Sequence, residues 1–194
     1  MEPFIIFGLG NPGREYERTR HNIGFFAIDA LASAWKVDLS RMRYQSMTGQ
    51  GRFDDRKVIL VKPLTFMNRS GNAVRSFVQF YKITPDQMLV IHDDMDLPFG
   101  SLRMRSSGGS AGQKGMESII SCIGTNAFAR LRLGIGRPPG RMEAMDYVLQ
   151  KFSTKDAEDL DFVMHAVVDA VETLIKDGID QAMTQYNHSV LDDE

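Results

Sequence analysis

One cysteine, Cys122, stands in the 194 residues. That excludes a disulfide framework and a cysteine-rich zinc site, and it fits a reducing compartment. No apolar run comes near the roughly 18 residues that a membrane-crossing helix needs. A secretory leader is not visible either: Glu2 stands where positive charge is wanted, and the apolar stretch 4–7 runs straight into glycines and Pro12. A soluble cytoplasmic protein is the expectation. Repeats, low-complexity tracts and linkers are lacking as well. With 43% hydrophobic and 25% charged residues the composition is that of a globular chain, and one core suits this length, so 1–194 reads as a single domain.

What the chain does have is a divided charge. Residues 1–141 carry 20 Lys and Arg against 12 Asp and Glu, whereas residues 142–194 carry 3 against 13. Fifteen of the 20 cations in the first part are arginine, whose planar fork matches phosphate. An acidic helical part from about residue 142 and a polyanionic partner for the rest are the two readings of this split.

Strand and helix periods alternate along the chain. Residues 3–9 read as a strand stopped by Gly10-Asn11-Pro12-Gly13; Asn22 precedes a helical pattern of Phe25, Ile28, Leu31, Ala32 and Trp35. Residues 44–53 and 57–61 suggest a hairpin around Asp54-Asp55. Asn68 and Ser70 are candidate caps of a helix to about Lys82. Residues 88–91 form a buried-strand run, with His92-Asp93-Asp94 as the loop behind it. Strands at 101–105 and 130–135, a helix at 116–123 and a long helix from Ser153 to Asp177 with Gly178 as its cap complete the pattern. The expected fold is α/β: a twisted mixed, partly parallel sheet flanked by helices.

Three motifs compete for the chemistry. Gly8-Leu9-Gly10-Asn11-Pro12-Gly13 matches GxGxxG, but a turn rather than a helix follows it, and no acidic residue ends a second strand about 20 residues on. Gly108-Gly109-Ser110-Ala111-Gly112 matches GxSxG, the turn that exposes a serine nucleophile. Only His165 and His188 follow it; the first reads as solvated surface, the second as part of a poorly ordered tail. The third is a constellation of polar residues behind the elements: Asn11, His21-Asn22, Asn68 and His92-Asp93-Asp94. In an α/β sheet, ligands bind beyond the carboxyl ends of the strands, and a histidine beside an aspartate there can draw a proton from water. Turns and helix caps explain the asparagines singly; together the residues suggest a histidine-activated water.

The segments Phe7-Gly-Leu-Gly-Asn-Pro-Gly13 with Tyr16 and Thr19-Arg-His-Asn-Ile-Gly24, Lys62-Pro-Leu-Thr-Phe-Met-Asn68, His92-Asp-Asp-Met-Asp-Leu-Pro98 and Arg130-Leu-Arg-Leu-Gly-Ile-Gly-Arg-Pro138 closely resemble, in order, the bacterial-type peptidyl-tRNA hydrolases. The resemblance implies a cofactor-free, metal-free enzyme, a monomer, that cleaves the ester between a peptide and the terminal ribose of tRNA. By position it makes His21 the base and Asp93 its orienting carboxylate. Asn11, Asn68 and Met67 would hold peptide and water, Tyr16 would line the crevice, and Arg105 and Arg132 would grip the tRNA 5′-phosphate. One departure stands out: Gly112-Gln113-Lys114-Gly115 replaces the family's Gly-His-Asn-Gly, which puts at a substrate-binding position a Lys114 that cannot accept a hydrogen bond. A serine esterase built on Ser110 and a non-catalytic tRNA-binding relative are the alternatives.

Overall fold

The computed structural model describes residues 2–191 and consists of one seven-stranded sheet between two helical layers. Strands β1 (Phe4–Gly8), β2 (Arg41–Arg43), β3 (Ser46–Phe53), β4 (Arg56–Pro63), β5 (Met88–Asp94), β6 (Leu102–Arg105) and β7 (Ala129–Gly134) lie in the order β2-β3-β4-β1-β5-β7-β6. The central pairs β4–β1, β1–β5 and β5–β7 are parallel, and the flanking pairs are antiparallel. The α/β reading with a mixed sheet therefore holds. The parallel strands are nearly continuous apolar runs because helices bury both of their faces.

Alternation along each strand divides the core. Ile6, Leu60, Leu89, Ile91, Leu131 and Leu133 face helices α1 (Ile23–Ala34), α5 (Thr154–Asp177) and α6 (Ile179–Tyr186). Ile5, Phe7, Ile59, Val61, Met88 and Val90 face α2 (Ser70–Tyr81) and α3 (Lys114–Ile123). Gly178 ends α5 at φ 89°, as expected, with its amide on the Leu174 carbonyl.

Several local expectations are corrected. β5 runs on to Asp94, so His92, Asp93 and Asp94 belong to the strand end and not to a loop. Asn22 and Asn68 cap nothing with their side chains. The three-residue edge strand β2, the short helix α4 (Ala144–Val148) and α6 are additions; all are too short for periodicity to register. The C-terminal segment is not loose as far as residue 191: the Leu102 amide donates to the His188 carbonyl at 2.9 Å, Ser101 bridges Ser189, and the outer edge of β6 is thereby covered.

Gly8 and Gly24 allow α1 to sit directly on the sheet. A Cβ on Gly24 would lie 2.4 Å from the Leu9 nitrogen and 2.6 Å from the Ile91 carbonyl oxygen, both main-chain atoms that cannot give way. Gly24→Ala is expected to destabilise the fold by about 3 kcal/mol, at the upper end of ordinary overpacking; urea denaturation against wild type measures it.

Candidate active site

The carboxyl ends of β1, β4, β5 and β7 lie along one edge of the sheet, and the segments that leave them build one crevice. Behind β1 come Asn11 and then the helical turn Arg20–Asn22, which carries His21. Behind β4 comes the turn Met67–Arg69, and Asp93 stands at the end of β5 itself. The loop from β7 returns through α4. Arg20 ties α4 and the start of α5 to the His21 turn: its amide donates to the Gln150 carbonyl, its guanidinium pairs with Asp156 at 2.9 Å, and it stacks on Tyr147 at 4.9 Å.

Two cavities meet at His21. One, of about 340 Å³, runs along Asp93, Asp94, Ser110, Gln113 and Met145. The other, of about 630 Å³, runs along Asn11, Phe66, Met67, Asn68 and Leu149. His21, Lys114, Met145 and Val148 belong to both, so the two form one groove with the imidazole at its middle. Phe66 and Met145 are strongly exposed along it, 55% and 73%, an apolar lining open to a ligand.

His21 Nδ1 lies 2.8 Å from Asp93 Oδ2. Burial disfavours the imidazolium, but the charge and hydrogen bond of Asp93 more than offset it and hold the His21 pKa above its ordinary 6.5. Burial likewise works against the Asp93 carboxylate; the His21 charge and hydrogen bond, with the Gln113 amide, hold its pKa below the ordinary value. The bond to Asp93 makes Nδ1 the protonated nitrogen of neutral His21 and leaves Nε2 as the basic atom. His92 is buried, which pushes its pKa down, and its Nδ1 is engaged by the Asp93 carbonyl at 2.8 Å.

Asn11 is locked in place. Its side-chain oxygen accepts from the Met67 amide at 2.7 Å, and its main-chain N–H and C=O pair with the Asn22 carboxamide at 2.8 and 3.0 Å. The Asn11 Nδ2 group remains as a donor on the crevice wall. Met67 is buried, while Asn68 stands exposed at the rim. Lys114 is 67% exposed at the crevice mouth and pairs with Glu117 at 3.0 Å. Tyr16 lines neither cavity; its carbonyl closes the turn to Thr19.

One residue of this network has no signal in the sequence reading: Gln113, beside Lys114, caps α3 and donates to Asp93 Oδ1 at 3.0 Å. Asn22 belongs to the constellation, but its partner Asn11 is invisible to local pattern, which offers only a helix cap. Ser110 lines the crevice, but its hydroxyl takes a 3.4 Å bond from the Gly112 amide, and among the described residues no histidine is hydrogen-bonded to it. His165 is exposed on α5 and bound to the Asp161 carbonyl, as its surface reading required. Among the described residues, no cluster of three His, Cys, Asp or Glu side chains could hold a metal ion.

Beyond the crevice, β6 and β7 bury Leu102, Met104, Leu131 and Leu133 on one side and turn Arg103, Arg105, Arg130 and Arg132 to the other. Arg130 is buried and hydrogen-bonds the carbonyls of Gly108, Gly109, Asn126 and Phe128; burial and the neighbouring Arg132 charge lower its pKa to about 10, still charged at neutral pH. Arg132 Nε holds Asp94 Oδ2 at 2.5 Å, and Arg105 is exposed without an ion-pair partner among the described residues.

A family model described as peptidyl-tRNA hydrolase matches residues 5–194. The chain is similar to a peptidyl-tRNA hydrolase of Trichodesmium erythraeum, 47% identical over 197 residues, covering 97% of this chain and 90% of the relative. It is similar also to a mitochondrial peptidyl-tRNA hydrolase of Oryza sativa subsp. japonica, at 45% identity over 96% of this chain and 75% of the relative. A crystal structure of peptidyl-tRNA hydrolase from Acinetobacter baumannii superposes with a TM-score of 0.88 at 37% identity, over 95% of this chain and 94% of that one. A nucleosidase from Helicobacter pylori, TM-score 0.54 at 9% identity over 90% of this chain and 99% of that one, shares the fold alone.

Because Asp93 supplies the attraction that outweighs burial, Asp93→Asn should drop the His21 pKa below 6.5, the direction that burial alone dictates. NMR titration of the His21 ring in the two proteins checks the sign.

Proposed function

Because the chain belongs to the peptidyl-tRNA hydrolase family, we propose that it hydrolyses the ester joining a peptide to the terminal ribose of tRNA, with His21 as the base. The observation that carries this reading is the 2.8 Å His21–Asp93 bond at the midpoint of an open groove. Neutral His21 takes a proton from water at Nε2, and the hydroxide adds to the ester carbonyl. Asp93 stays ionised and supports the imidazolium. The Nδ2 group of Asn11, aligned by the Met67 amide, donates to the developing oxyanion; removing one such donor elsewhere costs about 3–4 kcal/mol. Collapse breaks the ester, the ribose oxygen takes the proton back from His21, and the peptide leaves as a carboxylic acid that gives its remaining proton to solvent.

The groove extends away from His21 in two directions, which suits a substrate whose peptide and nucleotide ends leave the scissile bond on opposite sides. Met67, Asn68 and the apolar flank of Phe66 and Met145 serve the peptide. Lys114, at the mouth, can leave Glu117 for a phosphate or a peptide carbonyl. Arg105 and Arg132 are the tRNA ligands: Asp94 occupies Nε of Arg132, and its two terminal nitrogens remain to face a phosphate.

The decisive experiment compares wild type and His21→Ala on a purified N-blocked aminoacyl-tRNA. Turnover should be lost in the variant while binding survives; loss of binding with retained chemistry would sink the assignment. Turnover of wild type should fall as pH drops through a midpoint above 6.5, because protonated His21 cannot accept a proton. Tight, salt-sensitive association of wild type with tRNA and no release of peptide would instead mark a binding protein. Arg132→Ala should weaken tRNA binding and reduce its log–log salt slope by about one unit, and an unchanged slope would remove Arg132 from the phosphate contact.

A further inference from the structure

Asp93 has two carboxylate oxygens, and only one of them serves His21. The other, Oδ1, accepts from Gln113 Nε2 at 3.0 Å, in a place where the Asp93 side chain is 4% exposed. Which end of the Gln113 amide faces Asp93 is decided elsewhere: its Oε1 accepts from the Met116 amide at 2.7 Å as the cap of α3, so the NH₂ group has to turn toward the carboxylate, with Met67 Sδ at 3.2 Å on its other side. The main chain is held too, the Gln113 amide on the Ser110 carbonyl and the loop before it on the buried Arg130. A helix end, a glutamine, a carboxylate and an imidazole thus stand in series.

We propose that Gln113 is a positioning residue for the hydrolysis: its amide fixes the Asp93 carboxylate and, through it, the orientation and basicity of His21. A neutral donor on Oδ1 takes up part of the carboxylate's charge, which tempers the pull on the imidazolium and keeps His21 neutral over more of the working pH range. Without that donor, Oδ1 would be buried and unpartnered, and the carboxylate would draw more strongly on the proton it shares with His21. The inference rests on His21 being the base. Asp94, Asp96, Lys114 and Arg69 also line the groove with His21, but Asp94 is paired with Arg132, Asp96 with Arg137 and Lys114 with Glu117; His92 hydrogen-bonds the main chain of Asp93, and its charge is the weakest of the pulls on the carboxylate. Besides His21, Gln113 is therefore the side chain hydrogen-bonded to the catalytic carboxylate.

The test is single-turnover cleavage of an N-blocked aminoacyl-tRNA over about pH 5 to 9, the range that brackets an imidazole, for wild type, Gln113→Met, Gln113→Asn and Gln113→His. Met is close in size but donates nothing; Asn keeps a helix cap while drawing back from Asp93, which guards against simple unfolding. Both should move the acid midpoint up by about half to one pH unit. His restores a donor that becomes cationic as pH falls, and should return the midpoint to the wild-type value or below it. A lowered rate with an unmoved midpoint in the Met and Asn variants would reduce Gln113 to a structural cap and overturn the inference alone. A wild-type profile with no acid limb would remove the base reading on which it stands.

Discussion

Everything in the crevice depends on one buried carboxylate. Asp93 is nearly sealed from solvent at the end of the central strand, where an unpaired charge would cost several kcal/mol. It stays ionised because donors converge on it from two directions: His21 from the turn behind β1, and Gln113 from the start of α3. Each of those donors needs its own element in place. The carboxylate therefore makes the registry of three separate chain segments a condition for both stability and chemistry.

The parallel centre of the sheet provides that registry. With β4, β1, β5 and β7 all pointing the same way, the segments that leave them are gathered at one edge, and polar residues scattered from 11 to 114 come together. Close packing then sets the spacing. Gly24 lets α1 press against the main chain of Leu9 and Ile91, and this contact places the His21 turn over the end of β5. The paired asparagines, Asn11 and Asn22, fasten the β1 loop to the same turn. The opposite flank of the sheet is built for a different purpose: apolar side chains of β6 and β7 bury against the core, which leaves their arginines to face outward. Arg130 is drawn inward among carbonyls, where it secures the glycine-rich loop, while Arg105 stays open to solvent.

Much of this was legible beforehand, and for local reasons. Apolar runs and alternating stretches mark six of the seven strands, and amphipathic stretches of period 3.6 mark the four longer helices. Turn chemistry at Asp54-Asp55 and Gly178 gave two of their boundaries. His21, Asp93 and Asn11 announced themselves as polar residues where a core wants none. What escaped were features with weak local signals. β2 and α4 are three and five residues long, and α6 follows α5 after a single glycine. Asn22 and Asn68 suit a cap by residue type, whereas Asn22 pairs with the Asn11 main chain and Asn68 stands exposed at the crevice rim. The C-terminal segment looked like a polar tail, yet its main chain pairs with β6.

Residue order was thus enough for the α/β class and the separation of basic and acidic parts, which are written in composition and short-range period, while the roles of His21 and Asp93 came from the family resemblance of the segments that hold them. Tertiary structure alone decided which partners those groups have. His21 and Asp93 are 72 positions apart, Asn11 and Met67 are 56 apart, and Gln113 reaches Asp93 across 20. A hydrogen bond needs its atoms within a few tenths of an ångström of the right distance. No local pattern encodes that precision over such separations; it comes from the packing of α1 and α3 on the sheet, and only there does Gln113 become part of the site.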